Sequence, residues 1–357
     1  MIVKKIYNFV RNIRGQIKLN KNLYNEAAEL ADSASNFLHP LSHIMQTREE
    51  ISKYLFDSEK ELLVKLDNPT EVNSYAGCFF KRVETNINNS SSLHIASEEE
   101  ILNANVLAIG GIDFNTPRHL SALIKASRIL ASECSNKDTS FHQTIAVMPE
   151  VSKEERYEAA KLYYQDSSFY PLYIKNRVEK FLIPKIILDE DTVLNIPKSI
   201  SLFSFSLGGR EIMMMENALY DVLLKQYSID PDTINTLMRN ISAVCLGFAP
   251  KLNILEKNSG FNKIIIFSAK DRAVLLPKDF YQKILSNDSV LDQEIFYSVF
   301  NEPDDNEKHL MIYNKEISNH DIKDELNHTL GCYLYDINSF PEECKEVIGD
   351  YLVYHKE

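Results

Sequence analysis

Short apolar runs alternate with amphipathic stretches from residue 75 onward, and this alternation constrains the fold more than any other feature. Strands that alternate with helices predict parallel βαβ units, and therefore an α/β fold with a doubly wound, mostly parallel sheet. The predicted strands are 77–83, 93–96, 105–110, 143–148, 199–205, 241–248, 263–268 and 309–313. The predicted helices are 117–134, 152–181, 209–226, 278–299 and 341–353.

The first 72 residues follow a different pattern, which predicts an N-terminal helical extension (1–72) ahead of one large domain over residues 73–357. Residues 1–21 contain six basic side chains and no acid, with apolar residues at helical spacing, so they are predicted to form a basic amphipathic helix. Two interpretations of this helix stay open. It attaches peripherally to an anionic membrane or to an acidic partner, or it docks on the protein's own acidic body.

Composition excludes several classes of partner and site. The net charge of −12 argues against a nucleic-acid partner, because phosphates attract basic surfaces. Five scattered cysteines without a CxxC pair predict a reducing compartment and give no indication of zinc. The chain has neither an apolar run of membrane-spanning length nor a conventional secretory signal. A cytoplasmic location is therefore predicted, with signal-independent export left open.

The segment over residues 199–226 carries the strongest indication of chemistry. An apolar strand ends at Ser206, two glycines follow, and an amphipathic helix then begins. Small residues, Ser204 and Gly208, stand two positions before and two positions after Ser206. A serine on a sharp strand-to-helix turn needs such neighbours, because the chain folds tightly onto itself there. A serine-rich strand with a glycine turn is the structural alternative.

This pattern resembles the nucleophile elbow of the α/β-hydrolase family, with Ser204 where that family usually has glycine. The resemblance covers roughly residues 75–335 in the order of its motifs. It implies a sheet of the α/β-hydrolase type and makes Ser206 the nucleophile. The range 151–198 is predicted to be a helical insertion rich in aromatic residues. Those side chains form a lid or acyl pocket, or they pack helices on the sheet.

Candidates for the other two triad residues follow in the chain order of the resembled family, which is serine, acid, histidine. Asp271 lies in a turn after the strand predicted over 263–268, and His320 follows the strand predicted over 309–313. The acid would fix the tautomer of the histidine, and the histidine would take the serine proton. His328 is the second candidate for the base. An ordinary turn aspartate and a surface loop histidine are the alternatives.

A double glycine marks the candidate oxyanion hole. The strand predicted over 105–110 ends in Gly110 and Gly111, and a helix begins shortly afterwards. In the resembled family, the loop after an early strand donates one backbone N–H, and the residue after the nucleophile donates the other. This resemblance implies Gly111 or Ile112, together with Leu207.

Together these residues predict a serine hydrolase of the esterase, lipase or thioesterase kind. It would cleave an ester, thioester or amide of a small or lipid-like acyl substrate through a Ser-Asp-His triad and an acyl-enzyme. No cofactor and no metal are predicted. Two alternatives stay open: a catalytically silent binding module on the same fold, and a membrane-peripheral interaction protein that uses the basic N-terminus.

Overall fold

A computed structural model describes the chain between residues 75 and 352, with interruptions. The residues within these limits that it does not describe are 86–89, 113, 116, 136–142, 188–199, 257–258, 269–270, 272–273, 275–283, 285–289, 291–292, 301–306, 314–329 and 336. The predicted helical extension over residues 1–72, His320 and His328 all lie outside the described residues. The hypotheses about them therefore stay predictions.

The described strands join in one mixed sheet. They are β1 (Phe79–Thr85), β2 (Ser90–Ile95), β3 (Val106–Ile109), β4 (Thr144–Val147), β5 (Ile200–Phe205), β6 (Ile241–Leu246), β7 (Asn262–Ser268), β8 (Ile295–Phe300) and β9 (Lys308–Tyr313). Their order is β2-β1-β4-β3-β5-β6-β7-β9-β8. The six strands from β4 to β9 in this order are parallel, and the flanking β1, β2 and β8 are antiparallel to their neighbours. The predicted α/β fold with a mostly parallel sheet is confirmed.

Helices connect most of these strands. They are α1 (Glu98–Asn103), α2 (Pro117–Cys134), α3 (Lys153–Gln165), α4 (Leu172–Phe181), α5 (Ile183–Ile186), α6 (Leu207–Lys225), α7 (Pro231–Met238), α8 (Leu252–Leu255), α9 (Leu330–Tyr335) and α10 (Glu342–Leu352), with a short 3-10 helix at Ile337–Ser339. None of the helices within the described ranges is long and apolar enough to cross a membrane.

Local sequence explains where α3 begins. The side chain of Ser152 accepts a hydrogen bond from the backbone N–H of Glu155, and the Glu155 carboxylate accepts one from the N–H of Ser152. This reciprocal capping satisfies two N–H groups that a helix start would otherwise leave without acceptors. The range in which a helical insertion was predicted contains α3, α4 and α5.

The hydrophobic core has two layers, one on each face of the sheet. Leu107 and Ile109 of β3 pack with apolar residues of α3, α4 and α6. Val106 and Ala108, which alternate with them along the strand, pack with α2, α9 and α10. Buried strands of this kind are covered on both faces, so their sequences are mostly apolar. The sheet is therefore buried between two layers of helices.

One predicted helix is wrong at its end. The range 278–299 was expected to be helical, but its last described part belongs to β8. Residues 295–300 are mostly β-branched or aromatic and pair antiparallel with β9, with Ile295 opposite Tyr313 and Phe300 opposite Lys308. Pairing with a buried neighbouring strand outweighs the helical spacing of these apolar residues, because strand preference depends on cross-strand packing.

Candidate active site

The direction in which the chain adds strands to the sheet reverses between β3 and β5. The chain passes from β3 to β4 on one side, and from β5 to β6 on the other. Helices α2 and α6, which follow β3 and β5, pack on opposite faces of the sheet. Open α/β sheets generally bind ligands at the carboxyl ends of the strands beside such a reversal. Gly110 follows β3 directly, and Ser206 follows β5 directly.

Ser206 has a backbone conformation that residues other than glycine rarely adopt. It lies between β5 and α6 with φ 55° and ψ −123°. Its N–H donates to the carbonyl oxygen of Leu246 on β6 (2.8 Å), and its own carbonyl accepts from the N–H of Gly209 (3.0 Å). A residue in such a region is strained by about 1–3 kcal/mol, and strain of this kind clusters at active sites. The surrounding hydrogen bonds hold Ser206 in this conformation.

The strain at Ser206 has a measurable consequence for stability. We expect Ser206→Gly to unfold with a free energy about 1 kcal/mol higher than Ser206→Ala, because alanine keeps the strain and glycine relieves most of it. Both variants lack the hydroxyl, so the comparison isolates the backbone. Denaturant unfolding of the two proteins measures the difference.

The same pair of substitutions at Ser204 is the matched control. Ser204 lies in β5, where the strand conformation suits any residue and a glycine weakens the strand. The sign of the difference is expected to reverse there, with Ser204→Ala the more stable variant. A glycine variant at position 206 that is no more stable than its alanine counterpart would contradict the assignment of strain.

Two glycines allow close approaches of the backbone at the ends of β3 and β5. A Cβ on Gly208 would lie 2.3 Å from the carbonyl oxygen of Ile109, so only glycine allows α6 to begin against the end of β3. A Cβ on Gly111 would lie 3.0 Å from Cβ and 3.5 Å from Oγ of Ser206. The loop after β3 therefore packs directly against the Ser206 side chain. The predicted oxyanion residue Gly111 and the predicted nucleophile thus lie in contact.

The other two predicted oxyanion residues lie next to this contact. Ile112 follows Gly111 and is partly buried, and Leu207 is the buried first residue of α6. The first N–H groups of a helix have no acceptor within the helix, and they carry its positive end. The N-terminus of α6 therefore favours negative charge beside Ser206.

Asp271 follows β7 at the same edge of the sheet and is almost fully buried, with 1% of its surface exposed. Its Oδ2 accepts a hydrogen bond from the hydroxyl of Tyr333 (2.6 Å), and its Oδ1 accepts one from the backbone N–H of Val274 (3.3 Å). Its own N–H donates to the carbonyl of Ser268 (3.0 Å). The carboxylate is thus fixed in a tight turn after β7, as the structural alternative expected.

Tyr333 connects the Asp271 turn to the Ser206 turn, a link that the sequence analysis missed. The Tyr333 ring contacts the ring of Phe205, the residue before Ser206, at a centroid distance of 6.2 Å and in an edge-to-face arrangement. Its hydroxyl donates to Asp271 and accepts from the N–H of Ser268 (3.2 Å). One buried side chain therefore holds the ends of β5 and β7 in a fixed relation. No pattern in the sequence marks it.

A buried group of charged residues lies next to the glycine loop, and no motif in the sequence indicates it. Arg156 of α3 donates to the carboxylate of Glu211 on α6 (Nε to Oε1, 2.6 Å). Its Nη1 donates to the carbonyl of Gly111, and its Nη2 donates to the carbonyl of Gly110, both at 2.8 Å. Arg177 of α4 donates to the second oxygen of Glu211 (2.8 Å).

The charge of Glu211 is stabilised by these arginines. The carboxyl is completely buried. Burial alone raises its pKa, but the charges of Arg156 and Arg177 outweigh burial and hold the pKa below its ordinary value. Glu211 is therefore an anion at neutral pH, and Arg156 has a fixed partner in the interior.

Comparison of the chain with protein-family models and with curated proteins gives no match. Among the described residues, no group of three or more His, Cys, Asp or Glu side chains comes together as a metal site. The inference of function therefore rests on the geometry around Ser206.

Proposed function

We propose that the protein is a serine hydrolase of the α/β-hydrolase type, with Ser206 as its nucleophile. The observation that carries this proposal is the conformation of Ser206, φ 55° and ψ −123°, at the end of a central parallel strand. A strained serine between a strand and a helix presents its Oγ above the sheet, where a substrate carbonyl reaches it. The position at the reversal point of the sheet supports the same conclusion.

The reaction follows from the groups around the serine. Ser206 Oγ attacks the carbonyl carbon of an ester, thioester or amide, while a histidine takes the hydroxyl proton. The N–H groups of Leu207 and of Gly111 or Ile112 hold the negative oxygen of the tetrahedral intermediate. The histidine then gives its proton to the leaving alcohol, thiol or amine. Water then attacks the acyl-enzyme while the histidine takes a proton from it. The histidine returns this proton to Ser206 Oγ as the acid leaves.

The arrangement of the strands supports Asp271 as the acid and His320 as the base. β5, β6, β7 and β9 are consecutive and parallel in the sheet, so the connections after them meet at one edge. Asp271 follows β7, and His320 follows β9 in the sequence. The connection that contains His320 in the sequence follows the end of β9, the neighbour of β7, and we infer that the His320 ring bridges the Asp271 carboxylate and Ser206.

Covalent labelling tests the proposal. A fluorophosphonate reacts with a serine only when that serine is activated as a nucleophile, so the purified full-length chain is expected to be labelled once. Mass spectrometry of the digest is expected to place the label on the peptide that contains Ser206. Label on another serine would overturn the assignment. A folded protein that takes up no label would favour the catalytically silent binding module instead.

The two candidate bases are separated by a pair of substitutions. We expect His320→Ala to remove nearly all turnover of a short-chain ester, because the triad acts as a unit and loss of its base lowers kcat by several orders of magnitude. His328→Ala is the matched control and is expected to keep most of the turnover. Steady-state kinetics of both variants measure this difference. The opposite result would move the base to His328.

A further inference from the structure

We propose that Arg156 is a positioning residue that orients the N–H groups of Gly111 and Ile112 for binding an oxyanion. This inference rests on the proposed hydrolase function and adds a residue to it that no sequence motif indicates. Arg156 does not contact Ser206 through the hydrogen bonds described above. It acts on the far side of the glycine loop, through the two carbonyl oxygens that it binds.

The orientation follows from the geometry of the peptide bond. The described residues contain no cis peptide, and in a trans peptide the C=O and N–H groups point in opposite directions. The carbonyl of Gly110 shares a peptide with the N–H of Gly111, and the carbonyl of Gly111 shares one with the N–H of Ile112. Because Arg156 holds both carbonyls, both N–H groups point away from its guanidinium. Gly111 packs against Ser206, so this loop borders the nucleophile.

The same side chain ties the loop to the helix that begins beside Ser206. Glu211 lies in the second turn of α6, and its bond to Arg156 fixes the guanidinium relative to the start of that helix. The N–H of Leu207 belongs to α6, whereas those of Gly111 and Ile112 belong to the loop after β3. One buried arginine therefore joins the two halves of the proposed oxyanion hole, in addition to the direct packing of α6 on the end of β3.

The chemistry of the side chain explains why an arginine occupies this position. Nε, Nη1 and Nη2 each donate to a different acceptor at 2.6–2.8 Å, which uses the rigid fork of the guanidinium. A lysine has one flexible ammonium and cannot hold two consecutive carbonyls in a fixed plane. Arg156 is 2% exposed, so water does not replace these bonds.

Arg177 provides a matched control within the same group. It is also buried, at 4% exposure, and it binds the same carboxylate at a similar distance. Either Arg156→Met or Arg177→Met leaves Glu211 with one arginine and removes one buried positive charge. Of the two, only Arg156→Met removes the hydrogen bonds to Gly110 and Gly111. Effects that both variants share are therefore effects on folding or charge, and the difference between them reports the position of the loop.

The experiment measures hydrolysis of a short-chain p-nitrophenyl ester by the full chain, with thermal melting to show that each variant is folded. For Arg156→Met we expect kcat to fall about 10²-fold with KM nearly unchanged, because a misplaced loop weakens binding of the transition state alone. The affinity for a trifluoromethyl ketone, which forms a tetrahedral adduct with the serine, is expected to fall by the same factor. Arg177→Met is expected to keep kcat close to that of the wild type.

Other outcomes are distinguishable. A folded Arg156→Met with wild-type kcat, or an equal fall of kcat in both variants, would overturn the positioning role. If Arg156→Met does not fold, Arg156→Lys replaces it, and its kcat is expected to fall about tenfold. A folded Arg156→Lys with wild-type kcat would likewise overturn the positioning role. If the wild-type activity does not depend on Ser206, the proposed hydrolase function fails instead, and the Ser206→Ala variant shows this separately.

Discussion

Substitution of Ser206 by alanine is expected to lower kcat for ester hydrolysis on the order of 10⁶-fold. In the proposed reaction the hydroxyl oxygen forms the covalent bond to the acyl group, so no other group of the site would replace it. Alanine keeps the backbone strain and is close to serine in size, so the variant is expected to fold like the wild type. Initial rates with a p-nitrophenyl ester, together with fluorophosphonate labelling, measure the loss.

Ser228→Ala is the matched control for this experiment. Ser228 is the other described residue besides the glycines with positive φ, at 54°, and it lies in the connection between α6 and α7. The control therefore removes a hydroxyl from a similarly unusual backbone position outside the candidate site. It is expected to keep wild-type turnover and labelling. Equal turnover of Ser206→Ala and the wild type would exclude Ser206 as the nucleophile.

Replacement of Asp271 by asparagine is expected to lower kcat on the order of 10⁴-fold. In the proposed triad, an amide would no longer hold the histidine in its productive tautomer or stabilise the imidazolium that forms when the serine proton is taken. Asparagine is similar in shape and still accepts from the hydroxyl of Tyr333 or from the N–H of Val274, so the turn after β7 is expected to persist. Steady-state kinetics and thermal melting of the variant test both statements.

Asp230→Asn is the control for the change from carboxylate to amide. Asp230 caps α7 by accepting hydrogen bonds from the N–H groups of Asp232 and Thr233, a task that asparagine also performs. This variant is expected to be fully active. If Asp271→Asn is also fully active, Asp271 only makes a turn, and the acid of the triad must be sought elsewhere.

The regular part of the fold was predictable because its elements follow simple periodicities. The strands that carry the candidate site are buried on both faces, so they are mostly apolar and easy to recognise. The helix predicted over 117–134 has those bounds in the structure, because Pro117 starts it. By contrast, β8 was predicted as helix, since its place in the sheet depends on pairing with β9 rather than on its own sequence.

The candidate site was predictable only where a residue's role is tied to its place on the chain. Ser206 and Gly111 follow strands directly, and glycines beside them signal a close approach of the backbone. Arg156 and Tyr333 carry no such signal, because they reach the site through long side chains from distant helices. The sequence of α3 is rich in charged residues and suggests an exposed helix. The role of Arg156 is recognised only from its hydrogen bonds to Glu211 and to the two glycine carbonyls.

The order of the strands also bears on when the candidate site forms during folding. Gly111, Ser206 and Asp271 lie in three separate connections, far apart in the sequence, and they reach one edge of the sheet only through the pairing of parallel strands. Contacts between such distant segments form slowly, because the intervening loops must close before any pairing is gained. We therefore expect a refolding chain to regain its helices before the central sheet, and recovery of the proposed activity would report the completion of that sheet.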